Sequence, residues 1–154
     1  MIATVNRIDR KQLWSLLPHT SKAVEALTET GDIANLDAEL VELVNLRCSQ
    51  INGCAYCVVY HTENLLKAGV SPYKLALVAT WEEAGTFSER EMAAFRWAEA
   101  LTLIADTHVP DDVYAAVSAV FSEAELASLT VSICTINVWN RLSVSFRLPP
   151  EIPD

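Results

Sequence analysis

The segment Cys54-Ala55-Tyr56-Cys57-Val58-Val59-Tyr60-His61 sets two thiols three positions apart and an imidazole four positions beyond the second. On a helix, residues three, four and seven apart return to one face, so Cys54, Cys57 and His61 would form a single ridge. Asn52-Gly53 ahead of them is a turn signal, and Gly69 stops the apolar run behind them. The cysteines are therefore expected in the first turn of a helix, where unpaired N–H groups and the helix dipole favour a thiolate. Such a position beside an imidazole lowers a thiol pKa from about 8.5 toward roughly 3.5–7.5. The chemistry this predicts is a pair that cycles between dithiol and disulfide.

The elements that must position this ridge read as helices throughout. Ile8, Leu13, Leu16 and Leu17 predict a short first helix closed by Pro18, and Thr20 or Ser21 can cap a second that ends at Gly31. Asp37 can cap a third, in which Leu40, Leu43, Val44, Arg47 or Cys48, and Ile51 keep a period near 3.6. Glu42 lies on that helix at the edge of the apolar stripe, and a tight Asn-Gly return could bring it beside His61 on the helix at about 54–68. Ser71-Pro72 opens the next helix, with Leu75, Val78 and Ala79 carrying it to about Trp81. Ser88 with Glu91 and Ser122 with Glu125 form two capping boxes, with Phe87 and Met92, and Phe121 and Leu126, as staples. The first heads a helix carrying Met92, Phe95, Leu101 and Ile104; Pro110-Asp111-Asp112 begins another through Val113 and Val117. The second box heads a long last helix from about 123 past 140. Residues 129–136 are β-branched and could be a strand, but the stripe Leu126, Leu129, Ile133, Ile136, Asn140 decides for helix. The tail after Arg147, with Pro149, Pro150 and Pro153, is expected to be irregular.

The chain has 154 residues, enough for one domain with a single core. Hydrophobic residues make up 51% and charged residues 20%, a balance that points toward burial against further copies of the chain. A net charge of −9 argues against binding nucleic acid or anionic membrane surfaces. No apolar run reaches the roughly 18–20 residues of a membrane span. Residues 1–7 lack the charged and apolar regions of a signal peptide, so a cytoplasmic location is expected. Four cysteines in that compartment imply thiol chemistry or metal rather than a disulfide framework.

Glu42, eleven residues, then Cys54-x-x-Cys57-x-x-x-His61 resembles the signature of the alkylhydroperoxidase D (AhpD) group, within the carboxymuconolactone decarboxylase-like family. The resemblance continues through Leu65, Ala68, Gly69 and Val70 and closes on Ile136-Asn137-Val138-Trp139-Asn140-Arg141, covering roughly residues 37–141. It implies an all-α helical bundle, residues 1–154 forming one domain, assembled into trimers or hexamers. It further implies reduction of hydroperoxides by the cysteine pair with no bound cofactor or metal, recharged by a lipoyl-bearing or thioredoxin-like thiol reductant. Carried onto this sequence, Cys57 would be the peroxidatic thiol, Cys54 the resolving one, and His61 with Glu42 the proton relay. AhpD proper has a histidine just before the second cysteine, where this chain has Tyr56.

That assignment agrees with the chemistry of the residues. A thiolate that attacks an O–O bond becomes a sulfenic acid, and a second thiol must lie near enough to condense with it. A base must take the first proton and an acid must protonate the departing alkoxide, for which histidine titrates in the useful range. Other readings compete. Cys54, Cys57 and His61 could hold zinc with Cys48 or Glu42 as fourth ligand, although structural zinc sites usually present two matched ligand pairs. A decarboxylase of the lactone-processing branch is the other enzyme reading, and the cysteine pair counts against it. Cys48 and Cys134 fall on apolar stripes and are expected to be buried and reduced. His19 and His108 sit near helix ends, and Trp81, Trp97 and Trp139 are expected in a core or subunit interface. Tyr56 and Tyr60 flank the pair and could line a pocket.

Overall fold

Helix boundaries fall where short polar side chains can take up the free N–H groups of a first turn. In the computed structural model, which describes residues 7–31 and 33–152, Asp9 accepts from the Gln12 N–H and Asp37 from that of Leu40. Ser71 accepts from Tyr73 with Pro72 behind it, and Ser88/Glu91 and Ser122/Glu125 close both reciprocal capping boxes. The helices so bounded are α1 (Arg10–Leu16), α2 (Thr20–Gly31), α3 (Ala38–Ile51), α4 (Ala55–Lys67), α5 (Pro72–Leu77), α6 (Trp81–Ala84), α7 (Glu89–Thr102), α8 (Ile104–Thr107), α9 (Asp111–Ser118) and α10 (Glu123–Phe146). A 3-10 turn, Val78–Thr80, joins α5 to α6. No strand occurs among the described residues, so the all-α expectation holds, the β-branched residues 129–136 included. None of these helices is long and apolar enough to cross a membrane. Residues 1–6, on which the signal-peptide reading rests, lie outside the described residues, as do Asp32, Pro153 and Asp154.

The helix that carries Glu42 is buried on two sides. Leu40, Val44 and Cys48 of α3 share one apolar cluster with Ala94, Trp97 and Ala98 of α7, Val117 of α9, and Leu129, Ile133 and Ile136 of α10. Cys54 and Cys57 belong to that cluster too. Leu43 and Leu46, on the other side of α3, pack with Leu65 of α4, Leu75, Val78, Trp81, Phe87 and Phe95. Between the clusters, Arg47 Nε donates to Glu99 Oε1 at 2.8 Å, and Trp81 Nε1 donates to the same oxygen at 2.8 Å. An apolar helix locked this way cannot roll, because rotation would expose one leucine set to water at about 1.5–3 kcal/mol per side chain.

Four sequence expectations need correction. Thr20 and Ser21 lie inside α2 instead of capping it. The helix from Ser71 tightens to 3-10 geometry at Val78 before Trp81. The helix headed by Ser88 stops at Thr102, with Ile104 half exposed on the separate α8, where Thr107 Oγ1 donates to the Ala100 carbonyl at 2.7 Å. Cys134 is exposed, not buried. It follows Ile133 by one residue, hence about 100° further round α10, which carries it off the edge of the buried stripe.

Cys48 and Cys134 should therefore differ sharply in reactivity. Burial pushes the Cys48 thiol up to about 12, so at pH 8 only about one thiol in 10⁴ is ionised. Iodoacetamide at pH 8 should label Cys134 in the native reduced protein and reach Cys48 only in denaturant, as peptide mapping would read. Equal labelling of the two in the native state would contradict this burial.

Candidate active site

The turn from α3 into α4 sets up the site. Gly53 takes φ +65°, a left-handed conformation that costs a glycine little. The Cys54 N–H returns to the Ser49 carbonyl at 2.9 Å. Asn52 Nδ2 donates to both Asn137 Oδ1 and Asn140 Oδ1 at 2.9 Å, which anchors the turn to α10. Asn140, fully buried, donates onward to Ser49 Oγ at 3.1 Å, and Asn137 to Thr102 Oγ1 at 3.1 Å. The loop before the cysteines is thus held by side-chain amides from a helix more than eighty residues away.

Cys54 is the N-cap of α4, and its sulfur accepts the Cys57 N–H at 3.3 Å. The two cysteines, Cα atoms 5.4 Å apart, are joined as a disulfide. Both are almost wholly buried, but Cys57 lines a cavity of about 440 Å³ and Cys54 does not. His61, one turn further along the same face, lines that cavity as well. Its Nδ1 lies 2.8 Å from Glu42 Oε2, and Asn64 Nδ2 donates to the same carboxylate oxygen at 3.3 Å. A carboxylate only accepts, so Nδ1 carries a proton and Nε2 remains for other chemistry. The antiparallel return of α4 along α3 brings Glu42, Cys54, Cys57 and His61 into one place.

Aromatic rings wall the cavity. Tyr56 and Tyr60 stack at 6.5 Å, and Trp14 of α1 meets Trp139 of α10 edge-on at 5.8 Å. Tyr60 also meets the His61 ring edge-on at 5.2 Å. Arg10 lies 4.8 Å above the Tyr56 ring and pairs with Glu151 of the tail at 2.6 Å. Trp81 and Trp97 are buried, whereas Trp139 faces the cavity. His19 and His108 are exposed, the latter capping α8 in left-handed geometry. Among the described residues, no three His, Cys, Asp or Glu side chains are grouped as a metal ion would need.

Several site residues carry no motif of their own. Asn64, Ser143, Arg10 and Trp14 are of this kind, and their roles arise from where α1, α4 and α10 meet. Asn140 is the partial exception, since an amide on an apolar stripe signals a buried polar contact. Ser143 follows it by three residues on the same face.

An all-helical protein with a cysteine pair at a helix start and a carboxylate-held histidine behind it is the class this fold and site define. The model of the carboxymuconolactone decarboxylase family matches residues 18–100, and the chain belongs to that family, as an AhpD-like member. It is similar to the uncharacterized protein YdfG of Bacillus subtilis, with 30% identity over 136 residues covering 88% of this chain and 92% of that one. It is also similar to a crystal structure of an Agrobacterium tumefaciens protein of unknown function, a candidate antioxidant defence protein AhpD. That likeness has a TM-score of 0.89 at 36% identity and covers 97% and 100% of the two chains. An uncharacterized peroxidase-related protein of Silicibacter shares the fold, with a TM-score of 0.74 at 17% identity over 84% of this chain and 69% of that one.

The asparagine network makes a stability prediction. Asn52→Ala leaves Asn140 Oδ1 and one bond of Asn137 Oδ1 without a donor, which should cost about 1–3 kcal/mol. Urea unfolding would show it as a lower midpoint at unchanged slope. A midpoint equal to wild type would mean that the network contributes nothing net.

Proposed function

We propose that this chain is a dithiol peroxidase of a single domain, in which Cys57 attacks a hydroperoxide and Cys54 resolves the product. The observation that carries the reading is the shared cavity of Cys57 and His61, with His61 Nδ1 held by Glu42 at 2.8 Å. In the reduced protein His61 takes the Cys57 proton, and the thiolate attacks the terminal peroxide oxygen. An S–O bond forms as the O–O bond breaks, and the alkoxide leaves with the proton that His61 returns. The Cys54 thiol then displaces hydroxide from the Cys57 sulfenic acid, forming the disulfide and releasing water. A dithiol reductant, lipoyl-bearing or thioredoxin-like, restores both thiols by exchange and supplies the two electrons.

Glu42 fixes the tautomer and stabilises the imidazolium, and Asn64 holds Glu42 in place. Tyr56 and Tyr60 form the wall over which substrate reaches the sulfur. The reading includes a homo-oligomer, a trimer or hexamer, working in the cytoplasm, supported by the apolar composition and the AhpD likeness.

Consumption of an organic hydroperoxide with a supplied dithiol tests this directly. Wild type should turn over and Cys57→Ser should not; release of carbon dioxide from a lactone acid without peroxide turnover would favour the decarboxylase reading instead. Glu42→Gln and His61→Gln should each slow turnover by about 10²–10⁴-fold with the fold intact. The double variant should lose little beyond the worse single one, since the two act as a unit. A Glu42→Gln rate within about twofold of wild type would remove the relay and leave the cysteine pair.

A further inference from the structure

The two sulfurs of the pair are served by different donors. The Cys57 N–H points at Cys54 Sγ at 3.3 Å, so this first-turn N–H stabilises charge on the sulfur that does not line the cavity. Cys57 Sγ lies instead 3.9 Å from Ser143 Oγ, on α10. A disulfide sulfur can only accept, so the serine hydroxyl is the donor of that contact. Both residues line the cavity, with Ser143 7% and Cys57 4% exposed.

The orientation of this hydroxyl differs from others on the same helix. Thr130 and Thr135 turn their hydroxyls back to the carbonyls of Leu126 and Val131, at 2.7 and 2.8 Å, the usual resort of a hydroxyl inside a helix. Ser143 Oγ instead lies against the sulfur, at 3.9 Å. The charged and titratable groups facing the cavity are Arg10 of α1, Glu25 of α2, and Tyr56, Tyr60 and His61 of α4, with Glu42 behind His61. What α10 presents there is neutral, so any help it gives the sulfur must be a hydrogen bond.

We propose that Ser143 is a further catalytic residue, whose hydroxyl donates to the Cys57 thiolate in the reduced protein and holds negative charge on the sulfur that faces the cavity. The proposal rests on the reading of Cys57 as the attacked thiol. A hydrogen bond to the charged form of an acid favours that form, and a buried thiolate has few other donors to replace it. Ser143 thereby does for Cys57 what the helix start does for Cys54.

The test is the titration of Cys57 in the reduced protein, in a Cys54→Ser background so that one thiol of the pair remains. Iodoacetamide labelling rates against pH, read on the Cys57 peptide, give its apparent pKa. Ser143→Ala should raise that pKa by about one unit, which lowers labelling roughly tenfold at pH values below it. Alanine removes one oxygen and favours the helix, so an unchanged melting temperature is expected. Ser143→Thr, which keeps the hydroxyl, should restore the wild-type titration. An Ala variant titrating with wild type overturns the proposal, and so does a Thr variant shifted as far as the Ala variant, which would assign the change to packing. Peroxide turnover by the unmodified pair is measured separately; its absence would sink the peroxidase reading while leaving the titration to decide on Ser143.

Discussion

The bond from Asn52 to the paired amides of Asn137 and Asn140 is the constraint on which the site depends. A turn that starts a helix is ordinarily free to fray, because its own N–H groups have no intrahelical acceptors. Here α10 supplies acceptors for the side chain at the turn, and the turn in turn fixes where Cys54 caps α4. From Cys54 the geometry propagates with little freedom: Cys57 sits in the same first turn and His61 one turn beyond. Because α4 runs back along α3, His61 arrives at Glu42 without any loop having to carry it there. A partly satisfied buried network would be worse than an apolar core at this place, since each orphaned amide costs its desolvation. The network is completed through Ser49 and Thr102, so it specifies the turn without that penalty.

Position along the helices distinguishes cysteines that share one buried environment. Cys48, Cys54 and Cys57 are all buried in one apolar cluster. Cys48 lies in the last turn of α3, where burial drives its pKa up to about 12. Cys54 and Cys57 lie at a helix start, beside a backbone N–H and a serine hydroxyl respectively. Desolvation raises the cost of any thiolate, but it also strengthens each hydrogen bond that the thiolate receives. Aromatic rings of Trp14, Tyr56, Tyr60 and Trp139 wall the cavity that the Cys57 sulfur lines.

Local chemistry written along the chain was enough to determine most of the helices, the turn and the pairing of Cys54 with Cys57. Asp37, Ser71, Ser88 and Ser122 state their caps in one or two residues, and the spacing of Cys54, Cys57 and His61 is a property of any helix through them. Glu42 was legible as well, because a tight turn between two helices leaves only an antiparallel return. Apart from the cap assigned to Thr20 or Ser21, the assignments that failed were those in which a stripe had an edge or an end. Cys134 lies just past the buried arc of α10, and Leu103 interrupts what reads as a continuous helix. Periodicity describes which residues share a face but not how wide the face is, since that width is set by the neighbours packed against it.

Tertiary structure alone decided the rest of the site. Ser143 lies more than eighty residues from Cys57, and Asn137 as far from Asn52, and nothing in their type or spacing names those partners. Arg10 and Trp14 reach the cavity because α1 packs Trp14 against Trp139 of α10, a matter of how two distant helices dock. Hydrogen bonds of this kind have no period and no local partner, so a sequence can hold them only as unremarkable serines and asparagines. Once α3, α4 and α10 are packed, close approach turns those residues into the acceptors that hold the turn and the hydroxyl that lies against the sulfur.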